Sequence, residues 1–266
     1  MSRLETRFAA LAAAGRKALT TFITAGDPTL DATVPALQQL VASGADVLEL
    51  GIPFSDPEAE GPAIQRSSER GLANGVRLTT CLEMVRRFRE QDDATPIVLM
   101  GYLNSVLAMG EEAFAAAAAA AGVDGLIMVN LPPEEAQRLK AALDAVDINL
   151  IFLVAPTTTD ERLEKILKFA SGFVYYVSLK GTTGAGHLDV DAVAERVSTI
   201  KSRTRLPVQV GFGIRDGASA RAVGRSADGV VVGSALVTTM AAETDPGVRL
   251  ARLGEQVSSL RQALDA

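Results

Sequence analysis

The sequence predicts an α/β chain folded as a single (β/α)8 TIM barrel with an extra N-terminal helix. Three observations lead there. Eight short apolar runs alternate with helical patterns along the whole chain. Most of those runs are continuously apolar, as expected of parallel strands buried on both faces. No stretch rich in Gly, Pro or Ser divides the 266 residues. That length is common for an α/β barrel built as one domain, here 1–266. An open doubly wound sheet is the alternative, and it needs a reversal of strand order that sequence patterns do not display.

The elements follow in order. A charged, amphipathic start predicts a helix near 3–14, ahead of a first strand near 18–24. Further strands are expected near 46–51, 96–101, 124–129, 148–154, 173–178, 207–211 and 229–233. Helical periodicity fills the intervals near 30–43, 62–73, 77–91, 111–121, 133–145, 160–169, 190–203 and 216–225, and a last helix covers about 246–264. The alanine-rich run 113–123 is too short to span a bilayer. Alanine is the best helix former, and Glu111 and Glu112 suit a helix N-terminus.

Composition narrows the function. A net charge of −6 with mixed signs argues against nucleic acid as the main partner. It leaves room for a small anionic substrate held by backbone N–H groups. The start of the chain does not read as a secretory signal. The one cysteine, Cys81, permits no internal disulfide and fits a cytoplasmic setting; its helical surroundings point to packing. The one histidine, His187, has no partners at the spacing of a Ser-His-Asp triad or a histidine metal site.

The chemistry concentrates after the second strand, in Val47-Leu-Glu-Leu-Gly-Ile-Pro-Phe-Ser-Asp-Pro-Glu-Ala-Glu-Gly-Pro62. Glu49 sits inside an apolar strand, and the following loop carries Asp56, Glu58 and Glu60. A carboxyl in such a place either pairs with a basic core residue or serves proton transfer. Burial and like-charged neighbours would both raise its pKa. In barrels of this type the chemistry lies at the C-terminal ends of the strands. Glu49, Glu60, Tyr102, Asn104, Asn130, Tyr175 and Ser178 all fall on that rim.

Three glycine-bearing turns follow strands six to eight: Gly181-Thr-Thr-Gly-Ala-Gly186, Gly211-Phe-Gly-Ile214 and Gly233-Ser234. Barrels often bind phosphate between the last two of these loops, helped by a short helix N-terminus. Tight-turn geometry alone is the plain alternative. The segment 179–189 is long and polar and reads either as a lid or as an ordinary loop. Lys180 is a weak Schiff-base candidate, because lysines of that kind lie inside barrel strands. An unrelated phosphate-binding barrel, such as a sugar-phosphate isomerase or aldolase, also fits these features.

The order of motifs resembles the tryptophan synthase α subunit family from end to end. The matches are Phe22-Ile-Thr-Ala-Gly-Asp-Pro28, Glu49-Leu-Gly-Ile-Pro-Phe-Ser-Asp-Pro57, Gly61-Pro62 with Ile64-Gln65, and Met100-Gly-Tyr-Leu-Asn104. They continue with Gly125-Leu-Ile, Leu131-Pro-Pro-Glu-Glu135, Tyr175-Tyr-Val-Ser-Leu-Lys-Gly181, Thr183-Gly184, Val210-Gly-Phe-Gly-Ile214 and Val232-Gly-Ser-Ala235.

The resemblance implies a carbon–carbon lyase that cleaves indole-3-glycerol phosphate to indole and glyceraldehyde 3-phosphate without metal or organic cofactor. It implies that Glu49 moves protons and that Glu60 holds the indole N–H. It assigns Phe22, Met100, Ile127, Val129, Leu153, Tyr175 and Phe212 to the indole pocket. Gly184, Gly213, Gly233 and Ser234 match the phosphate cradle, and Thr183 matches a lid residue. The implied partner is a tryptophan synthase β subunit in an α2β2 assembly.

Four rim positions depart from the family pattern. Glu60 stands where Asp is usual, Glu58 where an apolar residue is usual, Asn130 for Asp and Ser105 for Pro. One extra methylene moves the carboxylate of residue 60 by roughly 1 Å, a misplacement that can cost about 10²-fold in rate. Lowered turnover is therefore expected. A third loop acid should raise its neighbours' pKa values, and loss of proline should loosen the loop after Asn104. A barrel that mainly docks on and activates a β subunit is the second functional reading.

Overall fold

A computed structural model of the protein describes residues 2–178, 189–211 and 213–266. Eight parallel strands close on themselves in chain order: β1 Ala18–Thr24, β2 Val47–Gly51, β3 Ile97–Gly101, β4 Gly125–Met128, β5 Asn149–Val154, β6 Val174–Val177, β7 Val208–Gly211 and β8 Gly229–Val232. β8 returns to β1 with Ala18 beside Gly229, which completes the ring. The open-sheet alternative is thereby removed.

The helices are α1 Arg3–Ala13, α2 Thr33–Ala42, α3 Pro62–Ala73, α4 Leu78–Arg89, α5 Leu103–Met109, α6 Glu111–Ala121, α7 Gln137–Asp144 and α8 Asp160–Phe169. They continue with α9 Val190–Lys201, α10 Gly217–Gly224, α11 Ser234–Ala242 and α12 Pro246–Asp265. Two expected helices open with a separate 3-10 turn, Leu30–Ala32 before α2 and Pro133–Glu135 before α7. Among the described residues no helix is long and apolar enough to cross a membrane.

Strand alternation divides the core in two. Leu48 and Leu50 of β2 pack outward against the helices, whereas Val47 points into the barrel with Ala18, Phe22, Val98 and Ile151. Glu49 shares the inward face of Val47 by the two-residue period of a strand. Both layers are buried, so each strand reads as one apolar run.

The barrel's N-terminal end is closed by α1. Ser2 caps this helix and Glu5 answers with the reciprocal bond of a capping box. Leu4, Phe8 and Leu11 then enter the inner cluster, with the rings of Phe8 and Phe173 5.8 Å apart. Arg3 reaches Asp124 at the foot of β4 at 3.0 Å, and Asp124 also receives Arg89.

The strand feet repeat one device. Asp46, Asp124, Ser171 and Asp228 each stand just before an even-numbered strand. Each accepts with its side chain the backbone N–H at the foot of the preceding strand: Leu19, Ile97, Leu150 and Val208, at 2.8–2.9 Å. Each also returns its own N–H to that residue's carbonyl. The four links pin the register at the end of the barrel away from the cavity described below.

α5 is the element absent from the sequence reading, which treats 102–104 as rim loop. Its first N–H, from Leu103, donates to Asn130 Oδ1 at 2.8 Å. A cap supplied from 27 positions away leaves no local signal. The segment after Asn104 is consequently a helix and not a loosened loop, and Ser105 N–H donates to the Tyr102 carbonyl at 3.2 Å, a bond proline could not make.

Leu4 is fully buried against the barrel floor. Leu4→Ala should destabilise the protein by about 2–5 kcal/mol in urea unfolding while the far-ultraviolet circular dichroism keeps its native shape.

Candidate active site

The C-terminal ends of the strands surround a cavity of about 590 Å³. Glu49 enters it from the inner face of β2, between Phe22 of β1 and Val98 of β3 in register. Its side chain is 1% exposed and its Oε2 has no hydrogen-bond partner. The ion-pair alternative finds no support, because none of the described lysines or arginines pairs with it. Burial first, and then the neighbouring Glu60 carboxyl, push the Glu49 pKa up to about 8.

Glu60 ends the loop after β2, immediately before α3. It lines the same cavity, is 4% exposed, and also presents an Oε2 without a partner. Burial lifts its pKa to about 7. Glu58 and Asp56 point to solvent. The shift at Glu60 therefore comes from burial and not, as the charge pattern suggested, from the other loop acids. Tyr102 anchors this loop. Its ring stacks on Phe54 with centroids 4.8 Å apart, and its hydroxyl accepts the Ala59 N–H at 3.1 Å. Gln65 adds a bond to the Glu60 carbonyl at 2.9 Å.

The apolar wall consists of Phe22, Met100 and Tyr175, joined by Ile64 and Val231. Tyr175 is buried, and burial together with Glu49 and Glu60 holds its hydroxyl well above the usual phenol range. Its ring lies against Gly211, where a Cβ would come within 2.3 Å of the tyrosine oxygen, so only glycine fits. Gly213, Gly233 and Ser234 line the same cavity. Gly213 adopts φ 78°, a conformation that glycine alone takes at little cost. Ser234 opens α11, whose first N–H groups have no partner within the helix.

Not every expected residue reaches the cavity. Ile127 is fully buried beneath it in the inner cluster. Val129 and Leu153 pack on that cluster from above and line a neighbouring recess of about 330 Å³ with Asn130 and Leu131. Thr183, Gly184, Phe212 and all of the expected lid at 179–189 except Asp189, the cap of α9, lie outside the described residues. Arg215, Ala235 and Thr238 line the cavity without having been anticipated. Arg215 follows a glycine turn as one more surface arginine, and no local pattern distinguishes it.

Two buried acids over an apolar hollow, at the C-terminal rim of a closed barrel, define an α/β barrel with a site suited to proton transfer. The family model for the tryptophan synthase alpha chain matches residues 8–265. The tryptophan synthase alpha chain of Alkalilimnicola ehrlichii is 58% identical over 266 residues, covering 100% of this chain and 97% of that protein. The corresponding chain of Burkholderia thailandensis is 57% identical over 265 residues, again covering 100% and 97%. Among solved structures, tryptophan synthase subunit alpha from Legionella pneumophila superposes with a TM-score of 0.91 at 44% identity, covering 100% of this chain and 99% of that one. An aminoacrylate-bound tryptophan synthase from M. tuberculosis gives 0.89 at 38% identity, covering 99% and 100%. The chain belongs to the tryptophan synthase alpha chain family.

A raised carboxyl pKa has a defined effect on stability. With a folded pKa of about 8 against an ordinary 4.5, the folded state keeps the Glu49 proton while the unfolded chain releases it. Stability should therefore fall as pH rises from about 5 to about 8. Glu49→Gln should flatten that slope in urea titrations across this window. Glu60→Gln, which removes the like-charged neighbour, should move the Glu49 titration to lower pH in carboxyl NMR.

Proposed function

We propose that this chain carries out the lyase half-reaction of tryptophan synthase, cleaving indole-3-glycerol phosphate to indole and glyceraldehyde 3-phosphate. The observation that carries the reading is the convergence of Glu49 and Glu60 on one apolar cavity that also meets the Gly213 and Gly233-Ser234 turns. Phe22, Met100 and Tyr175 hold the indole ring, with Ile127 as floor. Val129 and Leu153 support that wall from behind. Gly213, Gly233 and Ser234 offer backbone N–H groups to the phosphate. Thr183, Gly184 and Phe212 join these sets on the resemblance alone.

The reaction is a retro-aldol cleavage. Glu49 gives its proton to indole C3, and the ring nitrogen takes up positive charge. The Glu60 carboxylate accepts the indole N–H and stabilises that charge. Glu49, now a carboxylate, takes the proton of the neighbouring glycerol hydroxyl. The bond from C3 to that carbon breaks, its electron pair returns to the ring, and the hydroxyl carbon becomes the aldehyde. The donated and accepted protons balance.

The required ionisation has Glu49 protonated and Glu60 ionised. With pKa values of about 8 and about 7, that form is most populated between the two. We read the chain as one domain, working in the cytoplasm and passing indole to a β subunit in an α2β2 assembly.

Indole release from indole-3-glycerol phosphate should show a bell-shaped pH profile centred between about pH 7 and 8. Glu49→Gln should lower kcat by about 10²–10⁴-fold. Glu60→Asp, which restores the shorter side chain, should raise it. Undiminished activity in Glu49→Gln overturns the assignment of the acids.

A further inference from the structure

We propose that Arg215 pairs with the phosphate of the substrate and so fixes which way round the substrate lies in the cavity. This rests on the phosphate-ester substrate proposed above.

Arg215 stands four positions beyond the end of β7, at the start of the turn into α10, and lines the cavity together with Gly213, Gly233 and Ser234. Among the described residues that line the cavity it is the only lysine or arginine. The acids of the site, Glu49 and Glu60, come from β2 and its loop, whereas Arg215 comes from the loop after β7. A phosphate ester carries about −1.5 to −2 charges near neutral pH. Backbone amides supply dipoles to it but no net charge. The arrangement therefore favours the anion beside Arg215 and disfavours it beside the two carboxyls.

The local structure holds the Arg215 backbone still and leaves its guanidinium outside any close ion pair, with the Asp216 carboxylate as its nearest named charge. The backbone N–H of Arg215 donates to Ser219 Oγ at 3.1 Å. The adjacent acid, Asp216, is engaged as the cap of α10: its carboxylate accepts the Ser219 N–H at 2.9 Å and the Ser219 hydroxyl at 2.7 Å. Among the described residues Arg215 makes no side-chain ion pair. Its side chain is exposed at the cavity mouth, so its attraction for an anion is screened by salt. A planar, forked donor at such a mouth suits a phosphate better than a point charge does.

Arg215→Ala and Arg215→Lys, compared with the full-length wild type in indole release, test this. The Ala variant should raise KM for indole-3-glycerol phosphate about three- to tenfold with kcat changed less than about twofold. Its kcat/KM should lose part of its salt dependence, and Lys should recover part of the loss. Inhibition by glyceraldehyde 3-phosphate should weaken in step with KM, while inhibition by indole, which has no phosphate, should stay unchanged. An unchanged KM and salt slope overturns the inference, and so does an equal loss of indole affinity, which would mark a structural defect. If the wild type itself releases no indole, the proposed reaction fails. Calorimetric titration with inorganic phosphate then decides this point separately: weaker binding by the Ala variant supports the pairing, and equal binding refutes it.

Discussion

A carboxyl group held where water cannot follow is the constraint on which the site depends. Glu49 occupies an inward position of a barrel strand, flanked in register by Phe22 and Val98 and almost wholly withdrawn from solvent. Loss of solvation costs the charged form more than the neutral one, so the proton stays at pH values where an ordinary glutamic acid has lost it. Had the group been paired with an arginine, it would be ionised and could not donate. The second acid arrives by a different route, on a loop pinned by the hydroxyl and ring of Tyr102. Sheet and loop thus bring two acids to one hollow with unequal pKa values, the condition under which a pair can divide acid and base roles.

The rest of the molecule holds that hollow in shape from the opposite end. α1 fills the barrel floor with Leu4, Phe8 and Leu11, and the feet of the strands are tied by Asp46, Asp124, Ser171 and Asp228. Asp46 and Asp124 are further neutralised by Arg261 and Arg89, each in a close ion pair. Reciprocal polar links thus gather at the N-terminal end, while at the C-terminal end Glu49 Oε2 and Glu60 Oε2 stay without hydrogen-bond partners. Rim substitutions such as Glu58, Ser105 and Asn130 fall on the second end and leave the closed ring intact.

Sequence reasoning reached furthest where chemistry is local. Continuous apolar runs reveal strands covered on both faces, and a lone acid among them, Glu49, is conspicuous because burial makes it costly. The glycine turns after β7 and β8 are legible for a similar reason, since glycine clusters mark places where backbone must turn tightly or pack closely. Interactions between distant segments were hidden. α5 owes its start to Asn130, so residues 102–104 alone read as loop. Arg215 is one exposed arginine among many until the barrel closes and its turn faces the cavity. Val129 and Leu153 continue the two-residue alternation of Ile127 and Ile151, yet they line the adjoining recess, which the alternation alone does not show.

The four reciprocal links at the strand feet carry one more consequence. Each joins an odd strand to the even strand after it, and none spans an even-to-odd junction. The ring is therefore stitched as four two-strand quarters, and the seams between quarters carry links of another kind, such as Asn149 Nδ2 to the Asp124 carbonyl and Lys17 Nζ to the Ala227 carbonyl. New chain ends opened at a seam, with the old ends joined, would leave every stitch intact. The same cut made within a quarter would keep the hydrogen bonds but remove the short covalent tether between the two sides of one stitch. Whole quarters, rather than single strands, are thus the units that keep both sides of every stitch on one short stretch of chain.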